Sequence, residues 1–118
     1  MATWKPASIV FHGGTQQINA LKGKRVRTKA NLLSARVFDP IHHQQTTTNV
    51  PFGAIGFVSN SQNDSLLIVF PKQPNLNVAS LESLSRSGAF FVVVINAPTF
   101  KLQFDVDTDT PIESKNRG

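Results

Sequence analysis

The sequence predicts a mainly β protein: an antiparallel β-barrel or β-sandwich of six to seven short strands, with one short helix near residues 78–87. Short apolar runs follow one another at close spacing and are separated by turn residues, as in all-β domains. Seven glycines and seven prolines punctuate these runs. Residues 90–107 begin with six consecutive apolar side chains and then alternate between apolar and polar ones, which is typical of β-strands.

The composition bounds the domain organisation. A chain of 118 residues forms one domain, and we assign residues 1–107 to a single β domain and residues 108–118 to a polar C-terminal tail. The absence of cysteine excludes disulfides and thiolate metal sites. No apolar run is long enough for a membrane span, and residues 1–6 lack the order of a signal peptide. We therefore expect an intracellular, cytoplasmic site of synthesis and no membrane partner.

A C-terminal hairpin is the strongest structural prediction. Residues 90–95 form an apolar run that is typical of a strand covered on both faces. Residues 96–99, with Pro98, have the composition of a turn. The second strand of the hairpin then alternates, so that one set of side chains faces the core: Phe100, Leu102, Phe104 and Val106.

The first half of the chain is less regular. Residues 7–11 are typical of a short strand that ends at a Gly13-Gly14 turn, whereas residues 16–21 are ambiguous between strand and turn. Residues 24–38 are predicted to form one long strand, whose alternation changes phase after Leu32-Leu33 because of a β-bulge. In that phase Leu33, Ala35 and Val37 would face the core. A helix over residues 28–37 is the competing interpretation.

The middle of the chain supplies a loop, two strands and the helix. Residues 42–49 are a polar stretch without core-forming side chains and are predicted to be a surface loop. Strands are expected over 52–58 and 65–70, joined by a turn at 60–64. The glycines of the first strand indicate a bulge, a corner or a close neighbouring backbone. Helix 78–87 would be capped by Asn77 and ended by Gly88.

Residues with catalytic or metal-binding potential do not form a convincing site. His42 and His43 are adjacent, with no carboxylate at a ligand spacing, so a metal site is rejected. No serine lies in a nucleophile-elbow context. Asp105, Asp107 and Asp109 would lie on the wet face of a strand and its tail, which does not favour paired-carboxylate chemistry. The sequence therefore predicts no enzymatic activity, no cofactor and no small-molecule substrate.

Positive charge is concentrated in the first half of the chain. Residues 1–50 contain seven basic residues and one acidic residue, whereas residues 51–118 contain five basic and six acidic ones. On an extended strand Arg25, Arg27 and Lys29 would line one face at steps of about 6.6 Å. Such a ladder suits phosphate groups. The alternative is a solvated strand face partly neutralised by Asp105 and Asp107. The candidate residues for binding nucleic acid or another polyanion are Lys22, Lys24, Arg25, Arg27, Lys29 and Arg36.

These observations favour a non-enzymatic structural subunit that self-assembles, such as a virion, capsid or decoration protein. The expected partners are further copies of the chain, and its basic surface would face nucleic acid, DNA or RNA, or an acidic neighbour. The second interpretation is a β-barrel that binds single-stranded nucleic acid, with exposed phenylalanines stacking on bases. A small enzyme is the third.

Overall fold

The fold is described from a computed structural model, which describes residues 3–38, 46–72 and 81–108. These residues form eight strands and four short helices. In chain order they are β1 Trp4–Pro6, α1 Ala7–Val10, α2 Thr15–Leu21, β2 Arg25–Thr28, β3 Leu32–Val37, β4 Thr46–Val50, β5 Ile55–Gln62, β6 Ser65–Pro71, α3 Leu81–Ser87, β7 Phe90–Asn96, α4 Ala97–Gln103 and β8 Phe104–Asp107.

The strands pair into one antiparallel sheet in the order β1-β8-β2-β5-β6-β7-β3-β4. The predicted mainly β class is confirmed. The predicted sandwich and the count of six to seven strands are wrong, because the described strands form a single eight-stranded sheet. That sheet is open, with β1 and β4 as its edges, and no closed barrel forms among the described strands.

Three of the helices pack on one face of the sheet, which we call the inner face. Side chains from α1, α2 and α4 meet those of the central strands there in the main core. The largest fully buried members of this core are Phe11, Phe70, Phe100 and Phe104. α3 packs on the opposite, outer face, where Leu84 contacts a smaller cluster around Phe57 and Val69. The sheet is therefore covered on both faces at its centre.

The beginning of the chain differs from its prediction. β1 ends at Pro6, and residues 7–10, predicted as a strand, form a helical turn in which the Phe11 N–H donates to the Ala7 carbonyl at 2.8 Å. The ambiguous stretch is helix α2, in which Ile18 and Leu21 lie one turn apart and are both buried. The turn at Gly13-Gly14 is consistent with positive φ at both glycines, a conformation that costs glycine little.

The predicted long strand over residues 24–38 is two strands, β2 and β3, that lie apart in the sheet. β3 does contain an irregularity: its register with β4 shifts between Leu32 and Ala35, and Ser34 has φ 56°. Leu33, predicted to face the core, is 73% exposed. The competing helix over 28–37 is wrong as well.

β6 confirms the strand predicted at 65–70, whereas β5 covers Ile55–Gln62 instead of 52–58 and includes residues 60–62 of the predicted turn. They are joined by a two-residue turn at Asn63 and Asp64, both with positive φ, as in a tight hairpin. β5 begins at Ile55, later than predicted, because Gly53 takes a positive φ in the preceding turn. Gly56 marks a close backbone approach: a Cβ atom there would lie 2.6 Å from the Val69 carbonyl oxygen.

The predicted C-terminal hairpin is wrong, although its first strand is confirmed as β7. Residues 97–103 form helix α4, and β8 is separated from β7 by β2, β5 and β6. The Asn96 side chain caps this helix by accepting from the Thr99 N–H at 2.9 Å. Phe100, Phe104 and Val106 are buried as predicted, whereas Leu102 is 75% exposed.

Some predictions lie wholly or partly outside the described residues. These include the Asn77 cap, residues 78–80 of the helix, residues 42–45 of the polar loop and residues 109–118 of the tail. The described remainder of the helix is confirmed as α3, which is followed by Gly88 with φ 69°. Residues 46–49, predicted as loop, belong to strand β4.

Candidate interaction surfaces

The arginines of β2 project from the outer face of the sheet. Val26 and Thr28 are buried, and Val26 belongs to the main core on the inner face. Because side chains alternate along a strand, Arg25 and Arg27 lie on the opposite face. The same alternation in β8 buries Phe104 and Val106 in the main core and places Asp105 and Asp107 on the outer face. The register Val26↔Val106 and Arg27↔Asp105 then brings opposite charges together.

Each cation of the predicted ladder is paired within the chain. Arg25 donates to Asp107 Oδ2 through Nη2 at 2.8 Å and through Nε at 3.2 Å. The Arg27 Nη2 atom lies 3.1 Å from Asp105 Oδ2, and the Lys29 Nζ atom lies 3.6 Å from Asp105 Oδ1. Asp105 and Asp107 therefore partly neutralise this strand face within the chain, and phosphate binding by the three cations stays a prediction.

The Arg25–Asp107 pair is the most buried of the three. The Asp107 side chain, which was predicted to lie on a wet face, is only 1% exposed, and the Arg25 side chain is 28% exposed. Asp107 Oδ1 also accepts from the Thr3 N–H at 3.3 Å. Trp4 covers the same region, with its ring 4.5 Å from the Arg27 Cζ atom and 5.8 Å from the Arg25 Cζ atom. Cation–π contact and charge pairing together fix both guanidinium groups.

The remaining candidate cations lie elsewhere. Arg36 pairs with Val94 and Thr47 on the outer face, four strands away from β2, or roughly 19 Å at the usual strand spacing. Lys22 and Lys24 lie between α2 and β2. Several basic side chains have no carboxylate within 4.0 Å among the described residues: Lys5, Lys22, Lys24, Arg36, Lys72 and Lys101. The structure therefore does not gather the six predicted residues into one patch.

Among the described strands, β4 forms an open edge that was not recognised from the sequence. The Phe38 N–H donates to the Val92 carbonyl. Hydrogen-bonded pairs recur at every second residue of an antiparallel ladder, so the N–H and C=O groups of Arg36 also point at β7. Val37 and Ala35 then point theirs at Thr46 and Thr48 of β4. It follows that Thr47 and Asn49 direct their N–H and C=O groups away from β3. The run of three threonines was the available signal, because β-branched residues favour strands.

The opposite edge, β1, is protected. The Thr108 N–H donates to the Thr3 carbonyl. Because hydrogen-bonded pairs recur at every second residue, the N–H and C=O groups of Lys5 also point at β8. Trp4 and Pro6 then face the open side, and Pro6 has no N–H to donate. β1 has only three residues, including Lys5, and short strands with lysine and proline resist further pairing. β4 has five residues and no charge.

Exposed apolar side chains accompany the β4 edge. Leu33 and Phe52 are 73% and 68% exposed, and both lie close to β4 in the chain or the sheet. The Phe52 N–H donates to the Asn31 side chain at 2.8 Å, which holds the turn after β4 in place. A cavity of about 160 Å³ lies beside this end of β4 and is lined mainly by apolar side chains, among them Val50, Phe70 and Phe91.

Residues 3–38, 46–72 and 81–108 contain neither a cluster of metal ligands nor a helix that could span a membrane. No group of three or more histidine or acidic side chains there could hold a metal ion. His12 is exposed, and His42 and His43 lie outside the described residues. None of the described helices combines the length and the apolar composition needed to cross a bilayer.

Comparisons with protein families, with curated proteins and with solved structures find no match to this chain.

Proposed function

We propose that this protein is a non-enzymatic structural subunit that self-associates, and that the edge of its sheet at β4 is the contact surface. The observation that carries the proposal is the uncharged open edge formed by Thr46–Val50. Unpaired backbone groups in such an edge are a template for pairing with another chain, and natural sheets usually block them. Among the described residues, this sheet blocks its β1 edge and leaves β4 open, which is the pattern of an edge kept for association.

The exposed apolar side chains support the same proposal. Leu33 and Phe52 expose most of their surface close to this edge. Single exposed apolar residues are ordinary, but two beside an open strand provide apolar area that association would bury. Assembly into a shell or tube, as in a virion or capsid, is the larger structure that such a subunit would serve. That part of the proposal rests on the sequence alone.

The role of the basic residues in this proposal differs from the predicted role. Arg25, Arg27 and Lys29 hold β2 to β8 within one subunit, so they do not need an acidic neighbour. Nucleic acid would instead contact cations that have no carboxylate partner within residues 3–38, 46–72 and 81–108, such as Lys22, Lys24 and Arg36.

A second candidate function, binding of single-stranded nucleic acid, is favoured by those same cations, which have no carboxylate partner in the described part of the chain. They belong to a chain with a formal net charge of +5, and such a charge attracts polyanions. The three ladder residues contribute less, because a phosphate would have to compete with Asp105 and Asp107. This candidate does not require the β4 edge.

Mass measurement by light scattering, over a range of protein concentrations, tests the leading proposal. We expect a mass above that of the 12.9 kDa chain, rising with concentration, in physiological salt and without nucleic acid. The same measurement with an added single-stranded oligonucleotide separates the two functions. A protein that stays monomeric alone but binds the oligonucleotide would favour the second function, and one that does neither would contradict both.

A further inference from the structure

We infer that β4 pairs antiparallel with β4 of a second copy of this chain, with a two-fold axis passing beside Thr48. The inference rests on the proposed function and specifies its partner and geometry. It follows from the direction of the backbone groups along the open edge, the charges around that edge and the protection of the other edge.

The backbone groups along β4 determine the register. Thr47 and Asn49 each present one donor and one acceptor to the open side. In an antiparallel pair two opposed residues exchange both hydrogen bonds, and such pairs alternate with non-hydrogen-bonded ones. If Thr48 lies on the axis, Thr47 of each copy opposes Asn49 of the other. All the open-side groups of both residues are then paired.

Neighbouring registers pair fewer of these groups. With Asn49 on the axis, Thr47 would oppose Pro51, which has no N–H to donate. With Thr47 on the axis, Asn49 would oppose residue 45, which lies outside the described residues, so fewer open-side groups of the described strand would pair with one another. If the axis passed between two residues, Thr47 and Asn49 would oppose residues of the other copy whose N–H and C=O groups point to β3. Their open-side groups would then have no hydrogen-bond partner. Thr48 is thus the position that pairs all the open-side groups of the described strand.

The charge of Arg36 does not oppose this arrangement. β4 carries no charged side chain, and the described cations near it are Arg36 on β3 and Lys72, which lines the cavity beside Thr48 and Asn49. The two copies of Arg36 would be separated by three strand spacings, roughly 14 Å. That distance exceeds the Debye length of about 10 Å at 0.1 M ionic strength, so their repulsion is screened.

The protected β1 edge determines what kind of assembly results. Pairing between β4 and β1 of another copy would repeat indefinitely, but β1 is short and its Pro6 lacks an N–H. Self-pairing of β4 uses the same surface on both copies and therefore closes. The two sheets would join into one continuous sheet with a β1 strand at each end. Any larger structure would be built from these dimers through other surfaces.

Cysteine cross-linking tests the register directly, because the chain contains no cysteine of its own. In the proposed dimer the two Thr48 residues form a non-hydrogen-bonded pair with Cα atoms about 4.5 Å apart. Under mild oxidation, Thr48→Cys should form a covalent dimer at least about tenfold faster than Thr46→Cys, a variant of the same strand. The two residues 46 would lie about 14 Å apart along the strands, too far for a disulfide.

A second pair of variants tests the edge without cysteine chemistry. Thr47→Pro removes an N–H that points to the open side and leaves the bonds to β3 in place, so the subunit should remain folded. We expect it to weaken dimerisation about tenfold or more in sedimentation equilibrium. Thr47→Val keeps the N–H and the shape of the side chain, and it should dimerise like the wild type.

The outcomes separate this inference from the function on which it rests. A monomeric wild type overturns both. An oligomeric wild type overturns the inference alone if Thr48→Cys and Thr46→Cys cross-link equally, or if Thr47→Pro associates as well as Thr47→Val does. Fast cross-linking at residue 48 together with weakened association of Thr47→Pro supports the inference.

Discussion

Phe104 is held by two other phenylalanine rings in the main core. Its ring centroid lies 5.3 Å from that of Phe100 and 6.4 Å from that of Phe70, and the residue is fully buried. Aromatic pairs at these distances add to the free energy gained by burial. One such side chain therefore connects α4, β6 and β8.

Truncation of this ring gives a prediction at the scale of the residue. Phe104→Ala should lower the free energy of unfolding by about 3–5 kcal/mol, through lost transfer energy and the cavity left behind. Leu102→Ala is the matched control: it removes an apolar side chain that is 75% exposed and should change stability by less than about 0.5 kcal/mol. Urea unfolding followed by the fluorescence of Trp4 measures both. Equal losses would mean that burial does not distinguish the two positions.

Burial of Phe104 was predictable from the sequence, whereas the exposure of Leu102 was not. Residues 100 and 104 are related by a spacing of four, which is compatible both with strand alternation and with one face of a helix. Only residue 102, halfway between them, distinguishes the two structures. Because Leu102 is apolar, the local pattern favoured a strand. In the folded protein residues 97–103 form helix α4 instead, which leaves Leu102 exposed.

At the scale of the element, α4 depends on its first turn. Pro98 occupies one of the first two helical positions, where its missing N–H costs nothing. The Asn96 side chain accepts from the Thr99 N–H and so satisfies one of the free donors at the helix N-terminus. The residues that were interpreted as a turn are, in the structure, the start of a helix.

Removal of this cap should destabilise the protein measurably. We expect Asn96→Ala to cost about 1 kcal/mol, the usual value for loss of an N-cap side chain, and Asn96→Ser to cost much less because serine also accepts from the backbone. Chemical denaturation with the same fluorescence readout compares the two. If alanine and serine are equivalent at this position, the cap does not stabilise α4.

At the scale of the whole molecule, the arrangement of the ladder depends on strand order. Arg25 and Asp107 are 82 residues apart in the chain, and they meet because β2 and β8 are neighbours in the sheet. The sequence predicted the face of Arg25, Arg27 and Lys29 from local alternation. It left open whether Asp105 and Asp107 neutralise that face, because pairing between distant strands is not encoded in either strand alone.

Two triple variants, each removing three positive charges, test whether Arg25, Arg27 and Lys29 stabilise the fold or bind phosphate. Arg25→Gln/Arg27→Gln/Lys29→Gln leaves the buried Asp107 without its arginine, and loss of one partner of a buried pair is strongly destabilising. Thr3 still donates to Asp107 and Arg25 is partly exposed, so we expect the lower end of that range, about 3 kcal/mol. Lys22→Gln/Lys24→Gln/Arg36→Gln removes cations with no described carboxylate partner and should leave stability within about 0.5 kcal/mol.

For oligonucleotide binding we expect the reverse order: the Lys22/Lys24/Arg36 variant should be affected more than the ladder variant. If three cations contact a single strand, log affinity falls with log salt concentration at a slope of about −2, at roughly 0.7 per contact. We expect the slope of the wild type to persist in the ladder variant, measured where that variant is folded, and to flatten in the Lys22/Lys24/Arg36 variant. Both variants carry three fewer positive charges, so a difference between them reflects position rather than net charge. A flattened slope in the ladder variant alone would show that phosphates displace Asp105 and Asp107.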